Sequence, residues 1–369
     1  MNLHLVPDDK YVSRLIQRIE ELNLLSENQF VVKIAPPFRY LKHSWLRGAH
    51  PLSTEFSKLH NDLTSYKKIF IHFMDEQSIQ WIVDKDLDNV YWLVWGADIY
   101  ESMFSGFEPN DRETQKVLGA TLRNKINRTI YTTVQKFKRR GLYRNAYKRI
   151  KYTCNWIYEE YKYAVDHLPG LKSEHRFFIY DQDVPFHELA AKIPVKEPGP
   201  SGKLRVQLGQ SATSPGNHAS ALIELGKSTD IAEVVIPASY GSDFYRERLE
   251  QWVKDHKFPF GVVFNKDYMS FDRYVTLLDT YDVVVLNSIR PAGMGNFWLA
   301  IILGKAVLLR RENLACKMME ELGLTFYYID EWCRNVRLPS TEEIRKNREI
   351  CLQYYSEERM RKAYRDLFE

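Results

Sequence analysis

Two segments of the sequence combine small, hydroxyl and polar residues directly before an apolar helical pattern. Residues 209–218 read GQSATSPGNH, and residues 288–296 read SIRPAGMGN. A loop that opens a helix offers free backbone N–H groups and the positive end of the helix dipole, which together hold phosphate groups. The first loop matches neither the GxGxxG nor the Walker pattern, so a phosphate site at Gly209 and Ser211 and an ordinary turn both stay open.

The second loop carries more of the features that a diphosphate site needs. Gly293 and Gly295 allow the backbone to approach a ligand closely, and Asn296 can cap the helix that starts at Phe297. Arg290 adds a guanidinium that binds phosphate oxygens in a bidentate manner. Because two phosphate-type loops would then lie in one sheet, we interpret this loop as a binding site rather than as a structural turn.

A carboxylate follows a later apolar run, within the sequence Arg310-Arg311-Glu312-Asn313. In this position Glu312 can accept hydrogen bonds from two ribose hydroxyls. The alternative is a surface ion pair with Arg310 or Arg311, and spacing alone favours that ion pair.

Acidic and imidazole side chains follow the apolar runs of the N-terminal half. Asp98 comes directly after the run 90–95, where a carboxylate can act as a general base or hold a sugar hydroxyl. His72 ends the preceding run and can share that site, although a satisfied core histidine is the alternative. Weaker candidates, after a short strand near the N-terminus, are Asp8 and Asp9.

The segment 114–158 contains twelve Lys and Arg residues and no acidic residue, although the whole chain has a net charge of only +4. Aromatic and aliphatic residues recur within it every three or four positions, which predicts one or two amphipathic basic helices with a break at Gly141. Such a surface attracts anionic lipid headgroups or a nucleic-acid backbone. A solvated helical face is the alternative.

Alternating apolar runs and helical patterns must position these residues. The strands expected in the first part are 29–35, 68–73 and 90–95, and the helices expected there are 11–24 and 75–83. Residues 193–203 read IPVKEPGPSGK and form the expected linker. Between residues 204 and 322 strand and helix alternate five times, which predicts a doubly wound parallel sheet.

A length of 369 residues exceeds one ordinary core and predicts two domains. We place the first at 1–192, including the basic segment, and the second at 204–340, followed by a helical tail at 341–369. No stretch reaches the roughly 18 apolar residues of a spanning helix, and the N-terminal residues lack a signal-peptide pattern. The four cysteines show no CxxC spacing, which argues against a zinc site or a disulfide framework and fits a reducing cytoplasm.

Five motifs occur in the order and with the gaps of one known family. They are residues 94–101, 208–211 with His218, 234–237 with Tyr240, 293–295 after Arg290, and 311–313. With these motifs the chain resembles the 4-acetamido-4,6-dideoxygalactose transferases, that is, the 4-alpha-L-fucosyltransferase family (glycosyltransferase family 56) of enterobacterial common antigen assembly. The resemblance extends from about residue 68 to residue 330.

The resemblance implies an α/β fold of the GT-B type, with two doubly wound Rossmann-like domains facing a cleft. It implies a metal-independent hexosyltransferase that uses no cofactor. An aminodeoxysugar would pass from a nucleotide-sugar donor, dTDP-linked, to an undecaprenyl-diphosphate-linked oligosaccharide in bacterial surface polysaccharide assembly. The enzyme would be cytoplasmic and peripheral on the inner face of the membrane, where the basic segment would dock on anionic lipid, and nucleic acid is not an expected partner.

Residue roles follow by motif match. The residues that would hold the donor diphosphate are Gly209, Ser211, Arg290, Gly293, Gly295 and Asn296. Tyr240 would lie near the nucleotide, and Glu312 would meet the ribose. Asp98, or else His72, would deprotonate the acceptor hydroxyl. Asp181-Gln182-Asp183 has the spelling of a metal-binding DxD motif, but we interpret it as surface near the linker.

Two other functions stay open on the sequence alone. A non-enzymatic protein that binds membrane or nucleic acid would use residues 116–156, with salt-dependent binding to polyanions and no affinity for nucleotide sugars. A sugar epimerase would need a GxGxxG motif after the first strand, and residues 3–10 contain no glycine.

Overall fold

The computed structural model describes residues 1–48, 58–59, 61–119, 122–181, 186–195 and 202–369, with the backbone alone for residues 122–132. The chain divides into two compact units. The first unit contains Met1–Phe107, Asn127–Asp183 and Ser356–Glu369, and the second unit contains Glu108–Ile126 and Val184–Tyr355. Each unit is therefore assembled from separate segments of the sequence.

Each unit is built on one parallel sheet. The strands of the first unit are β1 (Asn2–Val6), β2 (Asn28–Val32), β3 (Arg47–Gly48), β4 (Lys68–His72), β5 (Val90–Leu93), β6 (Ile150–Asn155) and β7 (Glu174–Phe177), in the order β3-β2-β1-β4-β5-β6-β7. Those of the second unit are β8 (Leu204–Leu208), β9 (Ile231–Pro237), β10 (Gly261–Asn265), β11 (Val283–Leu286), β12 (Ala306–Leu309) and β13 (Tyr327–Tyr328), in the order β10-β9-β8-β11-β12-β13. The strand order reverses between β1 and β4 and between β8 and β11, which is the doubly wound arrangement.

Helices alternate with these strands along the chain. The helices of the described residues are α1 (Lys10–Glu21), α2 (Glu76–Asp84), α3 (Ala97–Tyr100), α4 (Arg112–Val117), α5 (Leu122–Tyr147), α6 (Tyr158–His167), α7 (Phe186–Lys192), α8 (His218–Leu225), α9 (Asp243–Lys254), α10 (Phe271–Leu278), α11 (Met294–Ile302), α12 (Ala315–Glu321), α13 (Ile329–Trp332), α14 (Thr341–Tyr354) and α15 (Glu357–Phe368). The α/β fold class and the five strand–helix alternations expected between residues 204 and 322 are confirmed.

The sequence of the central strands explains their burial. Strand β11 reads VVVL and β12 reads AVLL, and all eight residues are buried. Continuous apolar runs of this kind are typical of parallel strands that are covered on both faces. Val285, together with Val206 of β8 and Leu222 of α8, belongs to the hydrophobic core of the second unit.

The basic segment folds largely into one long helix, α5, which runs through Gly141. The expected break at that glycine is wrong. No described atom lies within 4 Å of the place that a Gly141 Cβ would occupy, so the glycine lies on the open face of the helix. Tyr143, Ala146 and Tyr147 bury the opposite face. This packing outweighs the roughly 1 kcal/mol that a glycine costs a helix.

The last residues of the basic segment form strand β6, which the sequence analysis did not separate from the helix. Residues 196–201 of the expected linker 193–203 lie outside the described residues, and the division of the chain at that segment stays a prediction. The described cysteines are buried and unpaired. In the part of the chain that the structure describes, no helix has both the length and the apolar character needed to cross a bilayer.

The expected helical tail is two helices, and the second one, α15, packs on the first unit. Its Tyr364 hydroxyl accepts the backbone N–H of Asp181 at 3.1 Å. The carbonyl of Phe368 accepts the side-chain amides of Asn2 and Asn28 at 2.9 and 3.2 Å. The Phe368 ring lies 5.0–5.7 Å from the rings of His4, Phe70 and Phe178. This helix therefore closes the hydrophobic core of a unit whose strands precede it by more than 170 residues.

We expect Phe368→Ala to destabilise the first unit by about 3–5 kcal/mol, because the ring is fully buried and its removal leaves a cavity beside His4. Hydrogen exchange followed by mass spectrometry should show faster exchange in β1 and β4. Phe137→Ala is the matched control, since that ring is 87% exposed and its loss should change exchange in neither strand. Unchanged exchange in the Phe368 variant would contradict the role of α15 in this core.

Candidate functional site

The two loops singled out in the sequence lie side by side in the second unit. Strands β8 and β11 pair directly, with Leu208 opposite Val285. The backbone N–H of Gly209, the first residue after β8, donates to the Val285 carbonyl at 2.7 Å. Both loops therefore leave the carboxyl edge of the sheet at the point where the strand order reverses, which is where ligands bind in open parallel sheets.

Glycines bring the two loops into contact. Gly293 has a φ of +71°, and a Cβ on this residue would lie 2.7 Å from Oε1 of Gln210. The Gln210 side chain of the first loop thus packs on the backbone of the second. Gly209, with a φ of +75°, leaves room in the same way for the ring of His218, whose Nε2 would lie 2.8 Å from a Cβ there. A larger residue at Gly293 would push the two loops apart, and one at Gly209 would displace the His218 ring within the first loop.

The second loop ends in a helix that begins earlier than expected. Helix α11 starts at Met294, with Gly293 in the left-handed conformation as its N-cap, so the expected cap at Asn296 is wrong. The first intrahelical bond runs from the Phe297 N–H to the Gly293 carbonyl at 3.0 Å. The N–H groups of Met294, Gly295 and Asn296 therefore lie in the first turn, where a helix provides them no acceptor. Gly295 and Asn296 supply backbone donors rather than a side-chain cap.

An asparagine network, which the sequence analysis missed, holds the first loop. Asn217 precedes α8 and donates to the Pro109 carbonyl at 2.9 Å, while its Oδ1 accepts the N–H of Asp111 at 2.9 Å. Asn287, directly after β11, donates to the Asn217 carbonyl and to the Ser220 hydroxyl at 2.9 and 3.0 Å. Ser220 in turn donates to the Asp111 carboxylate. These bonds fix the start of α8 against the end of β11.

A third asparagine fixes the second loop. The Asn313 side chain donates to the carbonyls of Ser288 and Arg290 at 3.0 and 3.2 Å, and its Oδ1 accepts the Ala315 N–H at 2.9 Å. The carbonyls of Ser288 and Arg290 are therefore hydrogen-bonded within the protein, and this fixes the backbone of the loop. This position of Arg290 within a fixed loop follows from contacts between distant segments, which residue spacing does not reveal.

Ser211 and Tyr240 lie on neighbouring segments of the same edge. Ser211 is buried, and its hydroxyl lies 3.2 Å from that of Thr213. Tyr240 follows β9; its carbonyl accepts the Ala212 N–H at 3.2 Å, and its side chain is 58% exposed. More than half of the Tyr240 surface is therefore exposed beside the first loop.

Glu312 forms the ion pair that its spacing favoured. Nε of Arg310 donates to Glu312 Oε2 at 3.1 Å, and Nη1 donates to Asp111 Oδ2 at 2.7 Å. Burial raises the pKa of Asp111, but hydrogen bonds from Ser220, Thr114 and Arg310 outweigh it and hold that pKa below its ordinary value. The Asp111–Arg310 pair thus anchors Glu312 at the edge of the loops. Its contact with a ribose stays a prediction.

In the first unit, Asp98 connects three segments. Its Oδ2 accepts the Trp92 indole N–H at 2.6 Å and the Met74 backbone N–H at 3.1 Å, and its Oδ1 accepts the Trp95 N–H at 3.0 Å. The residue is only 5% exposed, and burial raises the pKa of its carboxyl group. The carboxylate therefore positions the chain after β4 and β5, and its use as a general base stays a prediction.

His72 ends β4 and is fully buried. Its Nε2 lies 3.1 Å from His4 Nδ1, and its Nδ1 lies 2.6 Å from the Tyr180 hydroxyl. Burial lowers the pKa of His4 to about 3 and that of His72 well below its ordinary value, so both rings are neutral at pH 7. His72 and Asp98 have different hydrogen-bond partners within the described part of the chain, and their expected shared role stays a prediction.

The weaker candidates hold local structure. Asp8 accepts the backbone N–H groups of residues 39–41, and Asp9 caps α1 through the Tyr11 N–H. Asp181 pairs with Arg18 at 2.7 Å, whereas Gln182 and Asp183 of the predicted DxD spelling lie outside the described residues.

A buried lysine that sequence reasoning missed supports the same edge of the first unit. Lys33, directly after β2, donates to the Phe73 carbonyl at 2.9 Å and to the Asp75 carboxylate at 2.6 Å. Phe73 has a φ of +67°, which is rare for an aromatic residue, and the lysine fixes its carbonyl. The backbone after His72 is therefore held in a strained form beside Asp98.

Comparison with known proteins agrees with this geometry. A family model described as 4-alpha-L-fucosyltransferase, glycosyl transferase group 56, matches residues 131–349, more than half of the chain. This match confirms the family that the sequence motifs indicated.

Solved structures with the same fold cover nearly the whole chain. Anabaena HepE in complex with UDP-glucose matches with a TM-score of 0.58 at 10% identity, over 99% of this chain and 98% of that one. The α,α-trehalose-phosphate synthase (UDP-forming) of Burkholderia vietnamiensis matches at 0.55 and 10%, over 100% and 98%. The sucrose-phosphate synthase of Thermosynechococcus elongatus matches at 0.56 and 12%, over 100% and 98%. These likenesses confirm the GT-B fold.

The buried neutral histidines predict that stability falls as the pH is lowered below about 6.5. His218 has its pKa lowered to about 4 by burial, while a backbone group of Ser211 partly opposes that shift. Between these two pH values the unfolded chain binds the extra proton, so acid favours unfolding. We expect a loss of about 2 kcal/mol per such histidine between pH 7 and pH 5.

The check is urea denaturation at both pH values, with hydrogen exchange of β8 and α8 reporting the second unit. His218→Gln should flatten the pH dependence of that unit, whereas His256→Gln, at an exposed position, should leave it unchanged. An equal pH dependence in the His218 variant would show that folding does not lower the pKa of this ring.

Proposed function

The chain belongs to the 4-alpha-L-fucosyltransferase family, glycosyl transferase group 56, and from this premise we propose that it moves an aminodeoxysugar from a dTDP-linked donor to a lipid-diphosphate-linked glycan. It is a glycosyltransferase. The proposed acceptor is an undecaprenyl-diphosphate-linked oligosaccharide of bacterial surface polysaccharide assembly, and the proposed location is the cytoplasmic face of the membrane.

The observation that carries the donor site is the contact between the two glycine loops through Gln210 and Gly293. Together the loops present the start of α8 and the start of α11 at one edge of the second unit. Two helix N-termini attract a diphosphate through their backbone N–H groups and their positive dipole ends. Anabaena HepE, which has the same fold, binds UDP and UDP-glucose, and this supports a nucleotide sugar as the donor class.

In the proposed reaction the bond between the sugar carbon C1 and the diphosphate oxygen breaks, and the electron pair leaves with the nucleotide diphosphate. Backbone N–H groups of Ser211, Gly295 and Asn296, with Arg290, stabilise the charge that develops on this leaving group. This stabilisation requires no metal ion. Gly209, whose own N–H is bonded to Val285, lacks a side chain and so allows the first loop to approach the diphosphate closely. Tyr240 would contact the nucleotide and Glu312 the ribose.

The acceptor hydroxyl attacks C1 and loses its proton to a base, for which we propose Asp98 or, failing that, His72. The raised pKa of Asp98 favours proton uptake, and its three N–H donors hold it in one orientation. His72 is fully buried and borders Tyr180, so a proton would reach its Nδ1 through that phenol.

The exposed stripe of α5 supports a membrane partner. Phe137 is 87% and Val134 46% exposed, and the exposed Lys138 and Arg144 follow on the same face of the helix. Exposed apolar side chains among cations are typical of helices that lie on an anionic bilayer. We propose that this stripe holds the enzyme at the inner membrane face, next to a lipid-linked acceptor.

The donor site is tested by calorimetry of dTDP, UDP and GDP binding to the full chain. We expect dTDP to bind most tightly and Arg290→Ala and Glu312→Ala each to weaken it about 10- to 100-fold, the loss of a charged hydrogen bond. Arg334→Ala and Glu342→Ala are the matched controls, since both side chains are exposed elsewhere on the unit. Thermal unfolding of each variant shows whether it is folded. No binding of any nucleotide, or equal binding by the Arg290 and Glu312 variants, would contradict the proposed donor site.

The membrane surface is tested by sedimentation with phosphatidylglycerol and with phosphatidylcholine vesicles. We expect binding to the anionic vesicles alone, weakened by salt and lost by at least tenfold in the Lys138→Glu/Arg144→Glu variant, since each cation near a bilayer contributes about 1 kcal/mol. Lys254→Glu/Arg334→Glu makes the same change in net charge on the second unit and should bind normally. Equal binding of the chain to both vesicle types would contradict the assignment of this stripe as a membrane-binding surface. Equal binding of the two double variants to anionic vesicles would contradict it as well.

A further inference from the structure

Three half-buried aromatic rings meet in the first unit, and we call them the aromatic wall: Tyr11, Trp95 and Tyr180. The rings of Trp95 and Tyr180 lie 5.2 Å apart, and that of Tyr11 lies 6.3 and 6.5 Å from them. All three residues follow strands of the sheet, namely β1, β5 and β7. The wall therefore stands at the carboxyl edge, where ligands bind in open parallel sheets.

A directed chain of hydrogen bonds fixes two of these rings. The indole N–H of Trp95 can only donate, and it donates to the Tyr180 oxygen at 2.7 Å. The Tyr180 oxygen lies 2.6 Å from His72 Nδ1, and Tyr180 donates its proton there when His72 is the Nε2–H tautomer. His72 Nε2–H then donates to His4 Nδ1 at 3.1 Å, and His4 Nε2–H donates to Asn28 Oδ1 at 3.0 Å. We call this chain of hydrogen bonds, from Trp95 to Asn28, the relay. Each donor in the relay has one acceptor, and this assignment gives the tautomer of each histidine.

The inner end of the relay has a fixed direction as well. The Asn28 amide nitrogen donates to the carbonyls of Leu24 and Phe368 at 2.8 and 3.2 Å, so its oxygen must be the acceptor. Asn2 donates to that same oxygen at 3.1 Å. The direction set by Trp95 at one end thus agrees with the direction set by Asn28 at the other, which requires both imidazoles to be neutral.

Because the relay occupies the polar groups of Trp95 and Tyr180, these residues can contact a ligand only through the faces of their rings. Trp95 and Tyr180 use their polar edges on each other and on His72, so a ligand that reaches the wall meets largely apolar ring surface. A pyranose ring matches such a surface, because one face carries axial C–H groups while its hydroxyls point outward to solvent or to other donors.

We propose that the aromatic wall binds a sugar ring of the acceptor glycan, and that His72 is a positioning residue that keeps Trp95 and Tyr180 in place. This inference rests on the proposed glycosyl transfer, and it assigns the binding of the acceptor sugar to Tyr11, Trp95 and Tyr180. It places His72 one hydrogen bond behind the surface that meets the substrate.

Binding is tested by saturation-transfer NMR with methyl glucopyranoside, methyl galactopyranoside and methyl N-acetylglucosaminide as probes. We expect saturation concentrated on the C–H protons of one ring face, and at least a tenfold loss in Tyr11→Ala and in Trp95→Ala. Tyr66→Phe is the matched control, because its phenol also makes a hydrogen bond, to Gln29 at 3.2 Å, but precedes β4 at the opposite edge of the sheet. If no probe is saturated, or if both alanine variants still show the saturation, the aromatic wall does not bind a sugar ring.

The relay is tested by nitrogen NMR of the chain labelled in histidine. We expect His4 and His72 as Nε2–H tautomers that do not titrate between pH 8 and pH 5, and a shifted His72 Nδ1 signal in Tyr180→Phe. That variant should raise the KM for the acceptor severalfold with kcat within about twofold and an unchanged pH profile, since it leaves Asp98, the base proposed first, in place. A different tautomer, or a lost limb of the pH profile, would overturn the positioning role.

The two proposals fail separately. Nucleotide binding at the second unit does not involve the wall, so Trp95→Ala should bind dTDP as the unchanged chain does. Sugar binding without nucleotide binding would refute the proposed donor site and support the aromatic wall as a sugar site. Nucleotide binding without sugar binding would refute only the sugar site at the aromatic wall.

Discussion

A loop that keeps its backbone N–H groups available for an anion needs its other polar groups fixed elsewhere, and the site of the second unit depends on this constraint. Three asparagines meet it. Asn217, Asn287 and Asn313 each donate to a main-chain carbonyl of the loops that follow β8 and β11, and Asn217 also donates to the carbonyl of Pro109. Because an amide side chain both donates and accepts, each residue holds two segments at once. The loops are therefore ordered before a ligand arrives, which lowers the entropy lost on binding.

In the first unit, imidazole and phenol rings rather than amide side chains fix the polar groups near the carboxyl edge of the sheet. Neutral imidazoles bury well but must be hydrogen-bonded at both nitrogens, and His4 and His72 satisfy each other. Their outer partner is Tyr180, and their inner partner is Asn28, which α15 covers. Rigidity at the carboxyl edge thus derives from the centre of the sheet. The strained Phe73 beside them is tolerated because Lys33 binds its carbonyl.

Local patterns in the sequence predicted most of the strands, most helices and both glycine loops, since these depend on neighbours in the chain. Contacts between distant segments were beyond such patterns. Asn296 was expected to cap α11, but the left-handed Gly293 starts that helix earlier. The basic segment hid strand β6, whose apolar residues resemble one face of a helix. The pairing of Asp111 with Arg310 joins residues 199 positions apart, so spacing could suggest a partner for Glu312 but not this anchor.

The discontinuous first unit has a consequence for how the chain is made. A ribosome completes β1 to β7 and then synthesises residues 184–355 before α15 emerges. During that interval the ring of His4 and the amides of Asn2 and Asn28 lack the helix that covers them in the finished protein. The last step in the folding of this unit therefore waits until the second unit has been synthesised, whereas the sheet of the second unit can form as it leaves the ribosome. A nascent first unit therefore exposes apolar surface beside His4 for the time needed to translate the second unit.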